Sequence, residues 1–187
     1  IENEIQNNSK VLLGGDLELS TKNEALDLNL LAELQESFFT TKIIEFTSII
    51  RTKNEESKTT RIKVIDNFYP LIGNVIVEPA DSLELLKSKP NTILIDKSTQ
   101  DNLDLNLGDR IIIQNTSFEI IGVIESLPDI GGFFLFGDQA LINESSFKDL
   151  KINNLGSFFV YKYKLLKKDN NQELPNSFSK NKNLEIK

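Results

Sequence analysis

Acidic side chains are the most numerous groups in this sequence that could do chemistry, and three of them are clustered. Asp96, Asp101 and Asp104 lie close together in the chain, a density that suggests a calcium site. An EF-hand loop, however, needs a central Gly and a terminal Glu at fixed spacing, and neither is present. Capping of helix N-termini explains these aspartates more simply. We therefore predict no metal site and keep calcium binding as a minor alternative.

The residue types that most often carry catalysis are missing. The chain contains no Cys and no His, which removes the thiolate nucleophile and the commonest general base. It also lacks the Gly-x-Ser-x-Gly elbow of serine hydrolases. With 28 acidic residues, a hydrolytic carboxylate pair stays open, because such pairs meet only in the folded chain. A hydrolase is the least favoured hypothesis, and we predict no catalytic residue, no cofactor and no enzymatic activity.

Glycine-containing turns could bind phosphate groups, but the glycines here lack the required pattern. Gly14-Gly15 and Gly131-Gly132 are not followed by the Gly-Lys-Ser/Thr of a P-loop or by the spacing of a dinucleotide fold. Gly14-Gly15 instead predicts a bulge or a close approach of two backbones. Gly108-Asp109 predicts a turn in which Gly takes a positive φ and Asp bonds the nearby backbone. The chain is therefore not expected to be an ATPase.

The best candidate for a functional contact is apolar. Residues 130–137 read IGGFFLFG, so four large apolar side chains follow each other in a loop framed by glycines. Such a loop could contact lipid or a partner protein. The alternative is that it folds back over the core. The predicted hydrophobic contact consists of Phe133, Phe134, Leu135 and Phe136.

Composition and charge exclude several classes of protein. The net charge is −7 and the lysines are interleaved with acids, which argues against binding of nucleic acid. The one local basic run, Lys162–Lys168, is expected to form a solvated strand edge and turn. No apolar run approaches the roughly 20 residues that span a bilayer. Because the chain begins at Ile1 and contains no Met, we expect it to be part of a larger protein.

These residues must be positioned by alternating strands and short helices. Hydrophobic periodicity predicts a strand at 11–21, a helix at 29–39, and strands at 42–52 and 60–68. Shorter strands and helical turns follow up to Pro128, and a strand is predicted at 157–166. This order indicates an α+β fold.

The positions of Pro and Gly residues suggest that the chain has three segments. Residues 1–72 would form the first, βαββ part of an outer subdomain. Residues 73–130 would form an inserted, small β-rich subdomain that is barrel-like, because its predicted strands are short and evenly spaced. Residues 131–187 would return to the outer subdomain as βαβ and end in a polar tail. Such insertions are tolerated when the host's ends stay close together.

Five motifs occur in an order that resembles a known family. They are Leu13–Asp16, Phe46–Arg51, Tyr69–Gly73, Leu103–Asp109 and Gly122–Asp129, which read LGGD, FTSIIR, YPLIG, LDLNLGD and GVIESLPD. In this order they resemble the extracytoplasmic domain of FtsX-like or MacB-type bacterial ABC transporter permeases, closest to the YbbP-like branch.

The resemblance implies a porter-like outer subdomain that carries the inserted β-rich one. It also implies a position on the periplasmic face of the inner membrane, between the first and second membrane helices of an integral membrane protein. A cytoplasmic ABC ATPase would drive those helices. The domain would transmit force or handle a hydrophobic or lipid-type substrate, and a periplasmic protein is a further expected partner.

A second hypothesis follows from the turn that ends at Gly108-Asp109. Similar turns followed by paired strands occur in small double-psi barrels. The chain would then be a free-standing β-barrel-type module that binds a peptide or a nucleotide, and its parent would be cytoplasmic. The long outer strands have no role in this alternative.

Overall fold

The structure is a computed structural model of the 187-residue chain, and it describes residues 10, 12–129, 138–150, 152, 158–179, 181 and 183–187. Within these residues, ten strands and five helices form a mixed fold. The predicted α+β class is confirmed.

Strands hold more of the described residues than helices do. They are β1 (Leu17–Lys22), β2 (Phe38–Arg51), β3 (Ser57–Ile65), β4 (Ile76–Glu78), β5 (Thr92–Asp96), β6 (Arg110–Ile113), β7 (Thr116–Ser126), β8 (Gln139–Asn143), β9 (Val160–Lys167) and β10 (Glu185–Ile186). The helices are α1 (Leu28–Ser37), α2 (Ser82–Ser88), α3 (Lys97–Asn102), α4 (Glu144–Asp149) and α5 (Asn176–Ser179). The first strand begins at Leu17, several residues later than its apolar pattern predicts.

Side-chain caps set where several helices begin. Asp27 accepts hydrogen bonds from the backbone N–H groups of Asn29 and Leu30, at 2.9 and 3.0 Å, and so caps α1. Asn143 caps α4 in the same way, through the N–H of Ser146. Each cap satisfies backbone donors that have no partner inside the helix.

Six of the strands close into a ring. β2 pairs with β3, β3 with β8, β8 with β5, β5 with β7, β7 with β6, and β6 returns to β2. A closed ring leaves no free strand edge between its members. β9, β1 and β10 extend the sheet from β2 on one side, and we call these three strands the wing.

The interior of the ring is apolar because its strands alternate. Ile44 and Phe46 of β2, Ile62 of β3 and Phe118 of β7 belong to one buried cluster inside the ring. Successive side chains of a strand point to opposite faces, so the residues between them point outwards. On the outside, a second apolar cluster packs against Leu86 of α2.

The wing has its own small core. Leu34 of α1, Phe178 of α5 and Tyr163 of β9 pack together with Leu19 of β1. The Tyr163 hydroxyl accepts a hydrogen bond from the backbone N–H of Leu26 at 3.0 Å, which fixes the loop that leads into α1. One face of the wing is thus apolar and covered by helices.

Strand pairing runs across all three predicted segments. The ring takes β2 and β3 from residues before 73, β5 to β7 from 73–130, and β8 from residues after 130. Hydrogen bonds therefore join the segment 73–130 to strands on either side of it. The division at residues 72 and 130 stays a prediction.

One end of the sheet gathers both described ends of the chain. The N–H of Asp16 bonds the carbonyl of Leu165 at 2.7 Å, and Glu18 and Lys187 exchange two backbone hydrogen bonds of 2.9 Å. β2 also begins here, with Phe38 opposite Lys167. We call this end the base, and the opposite end, where Lys22 pairs with Val160, the far end.

Candidate functional site

The clustered aspartates have structural roles. Asp96 caps α3 by accepting the N–H of Thr99 at 2.9 Å, and Asp101 forms a surface ion pair with Lys97 at 3.0 Å. Asp104 occupies a turn with φ of 46°. Among the residues that the structure describes, no group of three or more acidic, His or Cys side chains could hold a metal ion.

The glycine turns also behave as predicted. Gly108 has φ of 87°, and Asp109 accepts the N–H of Asn106 at 2.8 Å, which makes a turn. At Gly15 a Cβ atom would lie 2.7 Å from the carbonyl oxygen of Leu165. Two backbones therefore approach each other closely at Gly15, and only Gly fits there.

The predicted hydrophobic contact of Phe133, Phe134, Leu135 and Phe136 lies outside the described residues. Of the described residues on either side of 130–137, Asp129 accepts Lys63 at 3.0 Å, and Asp138 forms an ion pair with Lys58 at 2.7 Å. The contact itself stays a prediction from the sequence.

A group of buried ion pairs crosses the sheet near the base, and the sequence gives no sign of it. The pairs join β1 to β9, β9 to β2, and β3 to the chain after β7, and their side chains are only 3–18% exposed. Their charges lie on the sheet face opposite the core of the wing, because Tyr163 and Leu165 alternate with Lys164. We call this group the charged band: Glu18–Lys164, Glu45–Lys162 and Lys63–Asp129.

Asp129 is the most fully bonded member of the band. The Lys63 ammonium donates to both of its carboxylate oxygens at 3.0 Å, and the Tyr69 hydroxyl donates to Oδ1 at 2.6 Å. Burial by itself would raise the pKa of Asp129. The Lys63 charge and the hydrogen bonds from Tyr69 and Lys63 outweigh burial and lower that pKa. Asp129 is therefore a carboxylate that is held charged inside the protein.

Burial has the opposite consequence for Tyr69. Loss of solvent raises the pKa of its hydroxyl well above the ordinary value, and the neighbouring Asp129 charge raises it further. Tyr69 consequently stays a neutral hydrogen-bond donor. Its ring also lies beside the Lys63 ammonium, 5.6 Å from the ring centroid. The three side chains satisfy each other, which is what allows charges to be buried at all.

Lys164 fastens the N-terminal segment, residues 12–16, to the sheet. Its ammonium contacts the Glu18 carboxylate and also donates to the carbonyl of Leu13 at 2.6 Å. Gly14 in the same segment lies so close to Asp129 that a Cβ atom would meet the Asp129 Cβ at 3.3 Å. The band therefore connects three parts of the chain: the N-terminal segment, the wing and the end of β7.

The solvated edge and turn predicted for Lys162–Lys168 is wrong at Lys162 and Lys164. β9 is not an edge strand, because β1 pairs on one side of it and β2 on the other. Both lysines are consequently covered, and each has a carboxylate partner on a neighbouring strand. The partners are far away in the sequence, so the alternation of Lys with aromatic residues could not identify them.

A second, half-buried carboxylate holds the turn after β3. Asp66 accepts the Thr41 hydroxyl at 2.5 Å and the N–H groups of Lys42 and Phe68 at 2.7 and 3.0 Å. Burial raises its pKa, and the hydrogen bonds oppose this only in part. The Thr41 hydroxyl and the two backbone N–H groups that bond Asp66 are neutral, whereas Asp129 faces the Lys63 ammonium, and this difference accounts for the opposite directions of the two pKa shifts.

The charged side chains of the band are engaged with one another. The carboxylate of Asp129 is already engaged by an ammonium and a hydroxyl, so it is not available as a base. Paired buried charges instead define which residues meet and at what distance. The helices within the described residues are too short and too polar to cross a bilayer.

Comparisons with known proteins agree with this geometry. Residues 4–165 match the family model of the MacB-like periplasmic core domain. The periplasmic region of MacB from Actinobacillus actinomycetemcomitans is similar in fold, with a TM-score of 0.60, 14% identity and coverage of 95% of this chain and 93% of that one. The extracellular domain of the noncanonic ABC-type transporter YknZ from Gram-positive bacteria gives a TM-score of 0.61, 12% identity, and coverage of 91% and 98%. A search of curated protein sequences gives no match.

Proposed function

The chain belongs to the family of MacB-like periplasmic core domains, and on this premise we propose that it couples ATP-driven motion of membrane helices to movement of a substrate. The substrate class is hydrophobic or lipid-like, and the domain transports it, releases it, or transmits force to a periplasmic partner. A separate cytoplasmic ABC ATPase supplies the energy. The domain stands on the periplasmic face of the inner membrane and makes or breaks no bonds.

The charged band is the observation that supports coupling. Displacement of the N-terminal segment acts on Lys164 through the Leu13 carbonyl, and on β1 and β9 through Glu18. Gly14 of the same segment lies beside Asp129, which is bonded to Lys63 of the ring. Motion applied at the base can therefore reach both the wing and the ring through buried, paired charges.

The predicted substrate contact remains the loop at 133–136. Replacing Phe134 by Ser in the full-length permease should lower transport of a hydrophobic substrate and leave ATP hydrolysis unchanged. A drop in both activities would point to a folding role, and no change in either would remove the loop from the proposal.

The first experiment tests the cellular location of the full-length protein. The full-length native polypeptide is fractionated with a carbonate wash, and this domain is then exposed to protease from either side of the membrane. Retention in the membrane with cleavage only from the periplasmic side is the expected result. A soluble full-length protein in the cytoplasm would end the proposal and favour the binding-module alternative.

Coupling is tested with Asp129→Asn in the full-length permease reconstituted with its ATPase. We expect transport per ATP to fall, because the variant separates the N-terminal segment from the ring. The matched control is Asp101→Asn, which removes only a surface ion pair. Equal transport per ATP in both variants would contradict the role of the band.

A further inference from the structure

The ring is closed by ladders of very different length. β2 and β3 pair without interruption along the stretch of β2 from Ile43 to Arg51. Within the described residues, β6 meets β2 at two positions, Ile50 opposite Ile113 and Arg51 opposite Ile112. We call this short ladder the β2–β6 seam. Because the backbone hydrogen bonds of a ladder grow in number with its length, the seam contributes few of the bonds that close the ring.

One other ladder of the ring is equally short, but it is covered on its outer side. β5 and β8 also pair at two positions, one of which is Leu94 opposite Leu141. Both leucines pack outside the ring with Leu86 of α2. The Asn143 side chain, moreover, donates a buried hydrogen bond to the carbonyl of Leu86 at 2.7 Å. The β5–β8 ladder is therefore held by packing outside the ring as well as inside it.

The outer side of the β2–β6 seam is open to solvent. Ile49 and Ile112 are 54% and 37% exposed. Arg51 donates to the carbonyl of Gln114 at 3.3 Å, and this bond is also exposed. An open groove of about 510 Å³ adjoins the seam, and Ile49, Arg51 and Gln114 are among the residues that line it. Water therefore reaches one face of the seam directly.

The seam is also isolated along the edge of β2. β9 pairs with this strand as far as Glu45, and β6 begins to pair at Ile50. Between these two partners, no strand of the described chain pairs with Phe46–Ile49 on that edge. Loss of the seam would therefore leave the β2–β9 ladder undisturbed.

β6 is attached more firmly on its other side. It pairs with β7 along its whole length. The turn before β6 adds two backbone bonds to the same strand: the Gly108 N–H donates to the carbonyl of Ile120 at 2.8 Å, and the Ile120 N–H donates to the carbonyl of Asp109 at 2.9 Å. The β6–β7 hairpin can therefore separate from β2 as one unit.

A buried polar group destabilises the closed ring near the seam. Thr60 of β3 lies opposite Ser48, which precedes Ile50 by two residues on the same face of β2. Thr60 is 1% exposed, and its hydroxyl makes no hydrogen bond within the described residues. A buried hydroxyl without a partner costs free energy, and water that enters an opened ring would supply the missing bond.

We propose that the ring opens at the β2–β6 seam while its other ladders stay paired, so that β6 acts as a latch. Opening exposes Ile50, Ile111 and Ile113, which are completely buried in the ring cluster. The role of the latch rests on the proposed function: its opening gives the hydrophobic substrate access to the apolar interior of the ring during the transport cycle.

The absence of Cys from the chain makes a direct test of the latch possible. Ile113→Cys places a single thiol at the seam. Ile62→Cys is the matched control, because both isoleucines are completely buried in the same cluster and Ile62 lies in a strand that is paired on both sides. Under native conditions, the Ile113→Cys thiol should react with dithionitrobenzoate faster than the Ile62→Cys thiol, by about tenfold or more.

The dependence of this reaction on urea separates local opening from global unfolding. Opening of the latch exposes little surface, so the reaction of Ile113→Cys should hardly accelerate at low urea concentration. Ile62→Cys should react only through global unfolding, which accelerates steeply with urea. Equal rates with equal urea dependence would overturn the latch. Fast reaction of Ile95→Cys would also overturn it, because Ile95 lies in the β5–β8 ladder.

The role in transport is tested by locking the latch. Arg51 and Ile112 lie opposite each other in an antiparallel ladder, at a spacing that suits a disulfide. Arg51→Cys and Ile112→Cys are therefore introduced together into the full-length permease, which is reconstituted with its ATPase. Oxidation should lower transport severalfold, and reduction should restore it. The control is Ile49→Cys with Thr59→Cys, a pair in the β2–β3 ladder, whose oxidation should leave transport unchanged.

The two proposals fail in distinguishable ways. The thiol reaction is measured on this chain by itself, so its result does not depend on where the full-length protein is located. Fast reaction of Ile113→Cys, combined with normal transport by the locked permease, overturns the role of the latch in substrate access. A soluble full-length protein overturns the proposed function, while the thiol reaction still decides whether the ring opens at the seam.

Discussion

The two faces of β2 and β3 are built on opposite principles. Towards the ring interior, Phe46 and Ile62 lie opposite each other in an apolar cluster. On the outer face, Glu45 lies opposite Lys63, and both belong to the charged band. The same two strands therefore carry an apolar core on one side and buried charges on the other.

The comparison shows what each kind of burial contributes. Apolar packing favours folding in proportion to buried area, and it tolerates many combinations of similar volume. Buried ion pairs contribute little net stability, because desolvation offsets the attraction between the charges. Each buried ion pair does, however, require a particular partner at a particular distance. The ring interior thus supplies stability, and we infer that the band supplies connection between segments.

The largest expected effect comes from truncation inside the ring. Phe118 is completely buried in the ring cluster, so Phe118→Ala should lower the free energy of unfolding by about 3–5 kcal/mol. The loss should be the same at neutral and mildly acidic pH, because no titrating group is involved. Urea unfolding followed by circular dichroism measures it.

Phe158→Ala is the control for that substitution, since Phe158 is mostly exposed. Its effect should stay within about 0.5 kcal/mol. A similar loss in both variants would mean that burial in the ring does not set the difference.

The next effect distinguishes the band from the ring. Asp129→Asn leaves the Lys63 ammonium buried without its counter-charge, which should cost about 3 kcal/mol. Replacing the whole triad by Lys63→Met, Tyr69→Phe and Asp129→Leu should cost less than this single change, because no unpaired polar group remains. Urea unfolding of Asp129→Asn, of the three single variants of the triad and of the triple variant measures these values.

In the ring interior, by contrast, no such partial recovery of stability by combined substitutions is expected. Suppose that the triple apolar variant lost as much unfolding free energy as its three single variants together. The three side chains would then contribute independently, as residues of an ordinary packed core do. The distinction between the two faces would then be lost.

Sequence patterning predicted the apolar face better than the charged one. Alternation of Ile44, Phe46 and Ile50 places these residues on one side of a strand, and all three are in the ring interior. Closure of the ring was not predicted, because it depends on the pairing of Ile50 with Ile113. Such pairings join residues far apart in the chain, and local periodicity carries no information about them.

The band was missed for the same reason. Lys63 and Asp129 are 66 residues apart, and Lys164 and Glu18 are 146 apart. A lysine in an alternating strand has the same pattern whether it faces water or a buried carboxylate. Turns are local, so the turn at Gly108-Asp109 was predicted correctly.

Acidification should weaken the band and leave the ring interior unaffected. Burial tends to raise the pKa of Asp129, but Lys63 and Tyr69 lower it overall. A carboxylate with a lowered pKa in the folded state stabilises above its ordinary pKa, and this contribution is lost as the pH falls through the lowered value. The stability difference between the wild type and Asp129→Asn should therefore shrink between neutral pH and about pH 3.

For Asp66→Asn the stability difference from the wild type should change with pH in the opposite direction, so this variant serves as the control. Burial raises the pKa of Asp66, so its ionised form disfavours the folded state at neutral pH, and protonation on acidification relieves this. The wild type should therefore gain stability relative to Asp66→Asn as the pH falls. Parallel profiles of stability against pH for the two variants would show that the cationic partner of Asp129 does not cause the pH dependence.

The smallest effect tests whether burial makes Asp129 special among hydrogen-bonded aspartates. Asp27 is exposed and accepts two backbone N–H groups at the start of α1, so Asp27→Ala should cost only about 1 kcal/mol. Asp81 precedes α2 but makes no capping bond from its side chain, and Asp81→Ala should change stability by less than about 0.5 kcal/mol. A cost for Asp27→Ala as large as that for Asp129→Asn, measured by the same urea unfolding, would show that hydrogen bonding alone, without burial of charge, accounts for the sensitivity of the band.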